Sequence, residues 1–507
     1  MLKRLLLEVP AELESPLYLG SLEDVVYREE VDNPDVERRV KDRKLATNAG
    51  GNFVLRGSSI AGACKAACSW NLRRAWGDVD NPSLIAVDDV VLDIPKPDKR
   101  VGNAIDRYTR TVTDSSFYQY QVIPRGTRFS LTLRSDCRTK EEEDIVRRAF
   151  DELADLIHSG LIHLGGRKNV GWGKIRISSQ LGKVSECRVF SADLNSIEGI
   201  YDWINEKSYG KSIVPKKILD DRVLHITLEW SPTQAVLVGK QHEFGQQDES
   251  YSNVIEPLVD ADGCATLPGS SIRGAFRAHL SRIVNTILQL DHDNWQGLAT
   301  HEQISSEAKI IRRIFGTSQN AGAIHVDDSH TSSRNLAYLK RDHIGIDRWT
   351  GGIVDGERGN HEDNVGGHLF STVAVANKEW TPITFKVRLE RLGNDDEQRA
   401  ALCLISIGLA EIVTGYLSLG GSTTRGYGQI DVHGVIWSVS SCSSKDYFNF
   451  SVSDQENGNA FESISNFRRR DIASKILLHA KDIEPSTGWV KVIESVEKID
   501  ADCEEVE

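Results

Sequence analysis

Two short glycine-serine turns carry the first recognisable chemistry in this chain. Gly57-Ser58-Ser59-Ile60 and, 212 residues later, Gly269-Ser270-Ser271-Ile272 each open a stretch with helical apolar spacing. Such a turn offers unpaired backbone N–H groups, hydroxyls and the positive end of a helix dipole, a combination that holds phosphate. Basic residues follow in both cases: Lys65, Arg73 and Arg74 after the first, Arg273, Arg277 and Arg282 after the second. Serines capping ordinary helices are the alternative reading. The recurrence of paired serines with bases behind them favours phosphate contact and selects Ser58, Ser59, Lys65, Ser270, Ser271 and Arg273 as candidates.

Two glycine loops come next. Gly165-Gly166-Arg167-Lys168-Asn169-Val170-Gly171-Trp172-Gly173 matches Gly420-Gly421-Ser422-Thr423-Thr424-Arg425-Gly426-Tyr427-Gly428 glycine for glycine. Trp172 stands where a nucleotide-binding loop needs its lysine, so these are not Walker loops. A tight helix-to-strand connection with positive φ explains the leading glycines. Arg167, Lys168 and Arg425, on a loop expected to be exposed beside Trp172 and Tyr427, suit a nucleic-acid strand: charge for phosphate, a ring for base or sugar. A third pair, Ile105-Asp106-Arg107 and Ile346-Asp347-Arg348, reads either as a strand end with an internal ion pair or as a carboxylate-braced arginine clamp for phosphate. The cluster His325-Val326-Asp327-Asp328-Ser329-His330 invites a metal reading, but its counterpart Ala86-Val87-Asp88-Asp89 has no histidine. A structural strand-turn is the better account. Serine-hydrolase elbows and zinc-protease helices are absent from the sequence.

These landmarks recur in one order, and nine residues separate Trp76-Gly77 from Val87 just as nine separate Phe315-Gly316 from Val326. The chain reads as a tandem duplication. The second copy is 27 residues longer between the serine turn and the aromatic-glycine pair, and 14 longer before the glycine loop. Insertions of that kind accumulate in surface loops. The glycine-rich stretch Thr350 to Leu369 is expected to be one such projecting loop or hairpin tip.

Each copy is expected to run strand (Leu2 to Val9; Val223 to Trp230), helix (Ser58 to Trp76; Ser270 to Leu290), strands, helix (Glu141 to Ser159; Asp395 to Leu417), strand (Lys174 to Ser178; Gln429 to Ile436). That order is ferredoxin-like. The fold class is therefore α+β: two tandem ferredoxin-like domains over residues 1–215 and 220–440, and a C-terminal appendage over 441–507 with one helix around Arg470 to Ala480 and an acidic tail.

Charge and composition narrow the function further. A hydrophobic share of 39 % and a charged share of 27 % are ordinary globular usage, and a net charge of −13 argues against indiscriminate coating of nucleic acid. A local basic groove stays compatible with it. Eight scattered cysteines without a C-x-x-C pair suggest reduced thiols in a cytoplasmic protein. The longest apolar run, Ala400 to Ala410, is too short to span a membrane.

Together, the G-G-x-x-x-x-G-[WY]-G loops, the helix start Leu267-Pro268-Gly269-Ser270-Ser271-Ile272-Arg273-Gly274 and Ile346-Asp347-Arg348 followed by Thr350-Gly351-Gly352 resemble the RAMP superfamily. More narrowly they resemble the RNA-binding backbone subunits of type III CRISPR effector complexes, two of them fused. The first copy departs at Leu55-Arg56, where the family has proline. The resemblance implies ferredoxin-like, RRM-like cores with thumb hairpins. It implies guide crRNA, target RNA and other effector subunits as partners, and no membrane.

It further implies endoribonuclease activity: one acidic residue per domain supporting target-RNA cleavage by 2′-hydroxyl attack, with magnesium or another divalent cation bound transiently alongside the target. Carried over to this sequence, those residues are Asp32, in Val31-Asp32-Asn33-Pro34, and Asp248, with Glu249, Asp260 and Asp262 as rivals. No resident metal ligands are assigned. A non-catalytic crRNA-binding scaffold is the alternative. A precursor-RNA processing enzyme is disfavoured, because the first copy has no histidine before His158 to act as acid or base.

Overall fold

The computed structural model describes the chain apart from residues 1, 30–37, 95, 114–117, 181–182, 185, 206–209, 219–221, 241–253, 291–294, 347, 350, 353–368, 440–449, 454–465 and 505–507. It divides into two compact units, Met1–Ala104 with Thr113–Asp220, and Ile105–Val112 with Asp221–Glu507.

In the first unit the strand Lys3–Leu13 alternates from Leu5 to Ala11, so Leu5, Leu7, Val9 and Ala11 point into the core, joined by Leu13. It takes the centre of an antiparallel sheet ordered Lys211–Ile213, Cys187–Asp193, Lys3–Leu13, Arg128–Cys137, Ala86–Val87, with Ile175–Ile177 also paired to it. Helices Gly57–Ala67 and Lys140–His158 share a core with this sheet. Val146, Ala149, Phe150, Leu153 and Ile157 form the buried stripe of the second helix. Its N-terminus is capped by Thr139, whose hydroxyl accepts from the Glu142 N–H at 3.1 Å.

The second unit repeats this plan. Its sheet runs Ile324–Val326, Ile383–Arg388, Val223–Pro232, Ile430–Val439, Phe450–Ser453, with helices Gly269–Leu288 and Asp395–Thr414. In both units the spatial order is second, third, first, fourth strand, all antiparallel, which is the ferredoxin-like arrangement. The protein is therefore a tandem pair of ferredoxin-like units.

Each unit also carries a second, four-stranded sheet made from its insertions. The first is Gly20–Glu29, Arg38–Leu45, Tyr118–Val122, Asp98–Gly102, and the second is Gly239–Lys240, Val254–Pro257, Leu369–Val375, Tyr338–Ile344. In both, the middle pair is parallel and the outer pairs are antiparallel. The expected loop tip over Thr350 to Leu369 lies almost wholly outside the described residues.

Several expectations need correcting. The helix expected over Ser58 to Trp76 ends at Ala67 and continues as a separate 3-10 turn, Trp70–Trp76. The C-terminal segment holds two helices, Asn466–Ile483 and Trp489–Glu504, not one. Ile472, Ile476, Ile483, Ile493 and Val496 join the second unit's hydrophobic core, and Arg469 donates to Thr233 Oγ1 at 3.1 Å and to Asp431. Glu494 and Glu497, two of the carboxylates read as an acidic tail, sit on the helix Trp489–Glu504, whose Val492, Ile493 and Val496 are buried.

Candidate nucleic-acid interface

The Gly-Ser-Ser helix starts are closed in both units by the same device. Gly57 N–H donates to Asp89 Oδ1 at 2.7 Å, and Gly269 N–H donates to Asp328 Oδ1 at 2.8 Å. The second aspartate of each Val-Asp-Asp motif thus supplies the cap, and neither helix start has a side-chain cap from serine. Glycine is needed because a Cβ would lie 2.1 Å from the Val87 carbonyl oxygen in one unit and 2.2 Å from that of Val326 in the other. Each helix dipole already faces a carboxylate of its own chain. Ser58 and Ser59 are exposed at the first start, while Ser270 and Ser271 are half-buried at the second. Lys65 Nζ donates to the Gly77 carbonyl at 2.5 Å, and Arg273 donates to the carbonyls of Phe315 and Ile324. These two bases hold the ends of the Trp76 and Phe315 turns, where a helix C-terminus welcomes a cation.

The glycine loops superimpose conformationally as well as in sequence. Gly165, Arg167, Gly171 and Gly173 have positive φ, as do Gly420, Ser422, Gly426 and Gly428. Gly166 N–H bonds the Tyr18 carbonyl at 3.0 Å, and Gly421 N–H bonds that of Leu237 at 2.7 Å. The loops therefore lie on the continuation of each unit's first strand. Trp172, 5 % exposed, and Tyr427, 1 % exposed, are buried, contrary to the expected exposed loop aromatics. Trp172 packs with Tyr18, Tyr118 and Tyr120, and Tyr427 packs with Ala235, Leu237 and Ala374.

What these rings present is arginine. Arg167 lies over Tyr120 at 4.6 Å and Trp172 at 5.3 Å and donates to the Tyr120 hydroxyl at 2.9 Å, while Arg43 lies over Tyr120 at 5.3 Å. In the second unit Arg341 lies over Tyr427 at 4.9 Å and is braced by Gln234 at 2.6 Å and by the Arg425 carbonyl at 3.4 Å. The counterpart of Arg341 in the first unit is Arg100, seven residues before Arg107 as Arg341 is before Arg348. Arg100 is only 6 % exposed, and among the described residues its Nε and Nη1 have no hydrogen-bond partner. Neither Arg43, Arg100 nor Arg341 was among the candidates from sequence; the common spacing from Arg100 and Arg341 to the two Ile-Asp-Arg motifs was the available signal. Lys168 is half-buried, and burial lowers its pKa. Arg425 is exposed.

A family model described as the RAMP superfamily matches residues 11–176 and 238–431. The chain belongs to the RAMP superfamily. No curated protein matches it. RAMP proteins work in CRISPR RNA–protein complexes and some are ribonucleases, which makes this chain a CRISPR-associated RNA-binding subunit. Each matched region spans one inserted sheet and both helices of one ferredoxin-like core, and begins near or after the end of that unit's first strand.

The remaining candidates divide sharply. Arg107 does not stand open beside Asp106 as a clamp; it belongs to the second RAMP unit, with its Nε 3.5 Å from Glu307 Oε1. Its counterpart Arg348 is exposed. Asp32 and Asp248 lie outside the described residues, as does Glu249. Of the rivals, Asp260 is buried and accepts from the Cys264 N–H at 2.9 Å, and Asp262 is half-buried. Among the described residues, no group of three or more His, Cys, Asp or Glu side chains could hold a metal ion, and no helix is long and apolar enough to cross a membrane.

One histidine does sit on a Gly-Ser-Ser helix. His279 Nε2 bonds Glu411, and its Nδ1 faces Arg282 Nη2 at 2.8 Å. Burial, with Arg282 alongside, lowers its pKa to about 4. Both ring nitrogens are engaged, which leaves no nitrogen to exchange protons with RNA.

Proposed function

We propose that the chain is a backbone subunit of a type III CRISPR effector complex, binding guide crRNA along both RAMP units and cutting complementary target RNA at one position per unit. The carrying observation is the doubled arginine-on-aromatic site, Arg167 and Arg43 on Tyr120 and Arg341 on Tyr427. A guanidinium placed over a ring still has N–H groups to offer phosphate oxygens beyond those spent within the fold. Contacts to phosphate and ribose suit a scaffold that must accept any spacer sequence. Affinity should fall steeply with salt.

Cutting is assigned to Asp32 and Asp248, each preceding its unit's Gly-Ser-Ser helix in sequence. The ribose 2′-hydroxyl attacks the adjacent phosphate, the O2′–P bond forms and the P–O5′ bond breaks. A 2′,3′-cyclic phosphate and a 5′-hydroxyl result, the 2′-hydroxyl proton passing to solvent and one reaching the leaving oxygen. The protein's part is to hold the in-line geometry and assist proton transfer. A single carboxylate is the hard oxygen donor that magnesium accepts while keeping waters and phosphate oxygens as its other ligands; when bound, the cation would neutralise phosphate charge.

The test is a labelled complementary RNA incubated with the assembled complex. Asp32→Ala and Asp248→Ala should each remove one cut and preserve binding. Two unaltered ladders would replace the cutting assignment with the non-catalytic scaffold. Strong preference for one spacer over a scrambled one of equal length would overturn the backbone-subunit reading itself.

A further inference from the structure

The 3-10 turn Trp70–Trp76 of the first unit is anchored by Leu72, Ala75 and Trp76, which are buried. Its other side chains face water: Asn71, Arg73 and Arg74 are exposed, and Trp70 is 80 % exposed. An indole that stays in water gives up one of the largest burial gains any side chain offers. Arg73 lies over this ring, 4.6 Å from its centroid, the separation at which Arg167 lies over Tyr120. Tyr120 is only 6 % exposed, so its ring serves to hold the arginine. Trp70 holds its arginine and still keeps most of its own surface open.

The second unit carries the same turn in closed form. Lys309–Phe315 is the counterpart: Lys309 precedes Phe315 by six positions as Trp70 precedes Trp76, and Arg312-Arg313 stand where Arg73-Arg74 do. There a lysine replaces the indole, and its backbone N–H donates at 2.9 Å to Glu497 Oε2 on the helix Trp489–Glu504. Arg313 is 2.7 Å from Glu397, with its side chain 26 % exposed. In the first unit Arg74 is 3.6 Å from Glu141, with its side chain 65 % exposed. The ring and the outward arginines are thus particular to the first copy. We propose that Trp70, Arg73 and Arg74 form a stacking site for an unpaired base of single-stranded RNA, the indole taking the base and the two guanidiniums its flanking phosphates. A protein helix would bring several apolar side chains to a surface that offers one ring among Ser69, Asn71, Arg73 and Arg74. A nucleotide brings one flat apolar group with charge beside it, which is the complement of this turn. Every base has a face to stack, so the site tolerates any sequence. The inference rests on the chain's being an RNA-binding subunit and not on the guide or cutting assignments; Arg167 and Arg341 take no part in it.

The probe is a fluorescein-labelled oligoadenylate of twelve nucleotides, titrated into the full chain freed of RNA by high salt and followed by anisotropy. Trp70→Ala should weaken binding about tenfold, the worth of one stacked base, and Trp70→Phe should retain most of it. The ring neutralises no phosphate, so Trp70→Ala should leave the slope of log affinity against log salt unchanged, while Arg74→Ala should lower it. An oligouridylate carrying 5-iodouridine should photocrosslink to the peptide that holds Trp70. Because Trp70 is exposed, its variants should keep the circular dichroism of the unsubstituted chain. Unchanged RNA affinity in Trp70→Ala overturns the site; if that variant also sheds a protein that co-purifies with the unsubstituted chain, the turn is a protein-docking surface instead. Affinity lost with Arg167→Ala but not with Trp70→Ala sinks this inference alone. Affinity lost with Trp70→Ala but not with Arg167→Ala upholds the stacking site and removes Arg167 from the RNA reading.

Discussion

Asp328 Oδ1 accepts a hydrogen bond from the Gly269 N–H at 2.8 Å across 59 residues of chain, and Asp89 repeats the contact with Gly57 at 2.7 Å across 32. Each bond ties the end of the second ferredoxin-like strand to the first turn of the first helix. The cap thus comes from tertiary structure rather than from the helix's own serines.

Asp89→Ala or Asp328→Ala should cost about 1–2 kcal/mol, the range for losing a helix cap. Chemical denaturation of the purified chain measures it. Asn at either position should retain most of the stability, and Ser58→Ala or Ser270→Ala should change it little, because neither hydroxyl caps its helix.

Glu307 compensates two buried arginines at once, so its loss should be severe. Glu307→Ala leaves Arg277 and Arg107 facing each other in the interior, and about 3–5 kcal/mol of destabilisation is expected. An exposed carboxylate such as Glu141, paired with Arg74 at 3.6 Å, is the control and should move stability by less than about 1 kcal/mol.

Acid should act through Asp136. Its hydrogen bonds to Arg4, 2.7 and 2.8 Å long, hold its pKa below 3.8 in the folded chain. A lowered carboxylate pKa means that the unfolded chain binds the proton first. The pair's stabilisation is therefore complete above pH 3.8 and lost as pH falls further. Asp136→Asn should flatten that part of a stability-against-pH curve and leave it unchanged at neutral pH to within the small worth of a surface pair.

The buried thiols should be inert in the native chain. Burial pushes Cys64 and Cys403 up to about 12 and Cys187 to about 11. Thiolate is the reactive form, so at Cys64 and Cys403 alkylation should run roughly a thousandfold slower than at a thiol with the ordinary value of 9.0. Peptide mapping after a brief iodoacetamide pulse, with and without denaturant, checks this. Prompt native labelling of Cys64 would contradict its burial.

Sequence alone determined the duplication, the ferredoxin-like order and the placement of both glycine loops. Those properties are local or periodic. Alternation in Lys3–Leu13, the apolar stripes of the helices and glycines demanded by positive φ are written in consecutive residues. The last helix was legible in the same way: Trp489, Val492, Ile493 and Val496 keep helical spacing, but the run of carboxylates from Glu494 onward suggested a solvated tail.

Only the tertiary structure decided which side chains are spent inside the fold. Serine at a helix start is a sound cap until an aspartate from a distant strand end arrives with a stronger, charged acceptor. Arg107 and Arg348 are indistinguishable in sequence, yet one is enclosed against Glu307 and the other is exposed. The physical reason is that a guanidinium takes whichever anion or ring the fold brings within reach. For Arg167 and Arg341 that was Tyr120 and Tyr427, partners 47 and 86 residues away in the chain, which no local pattern discloses.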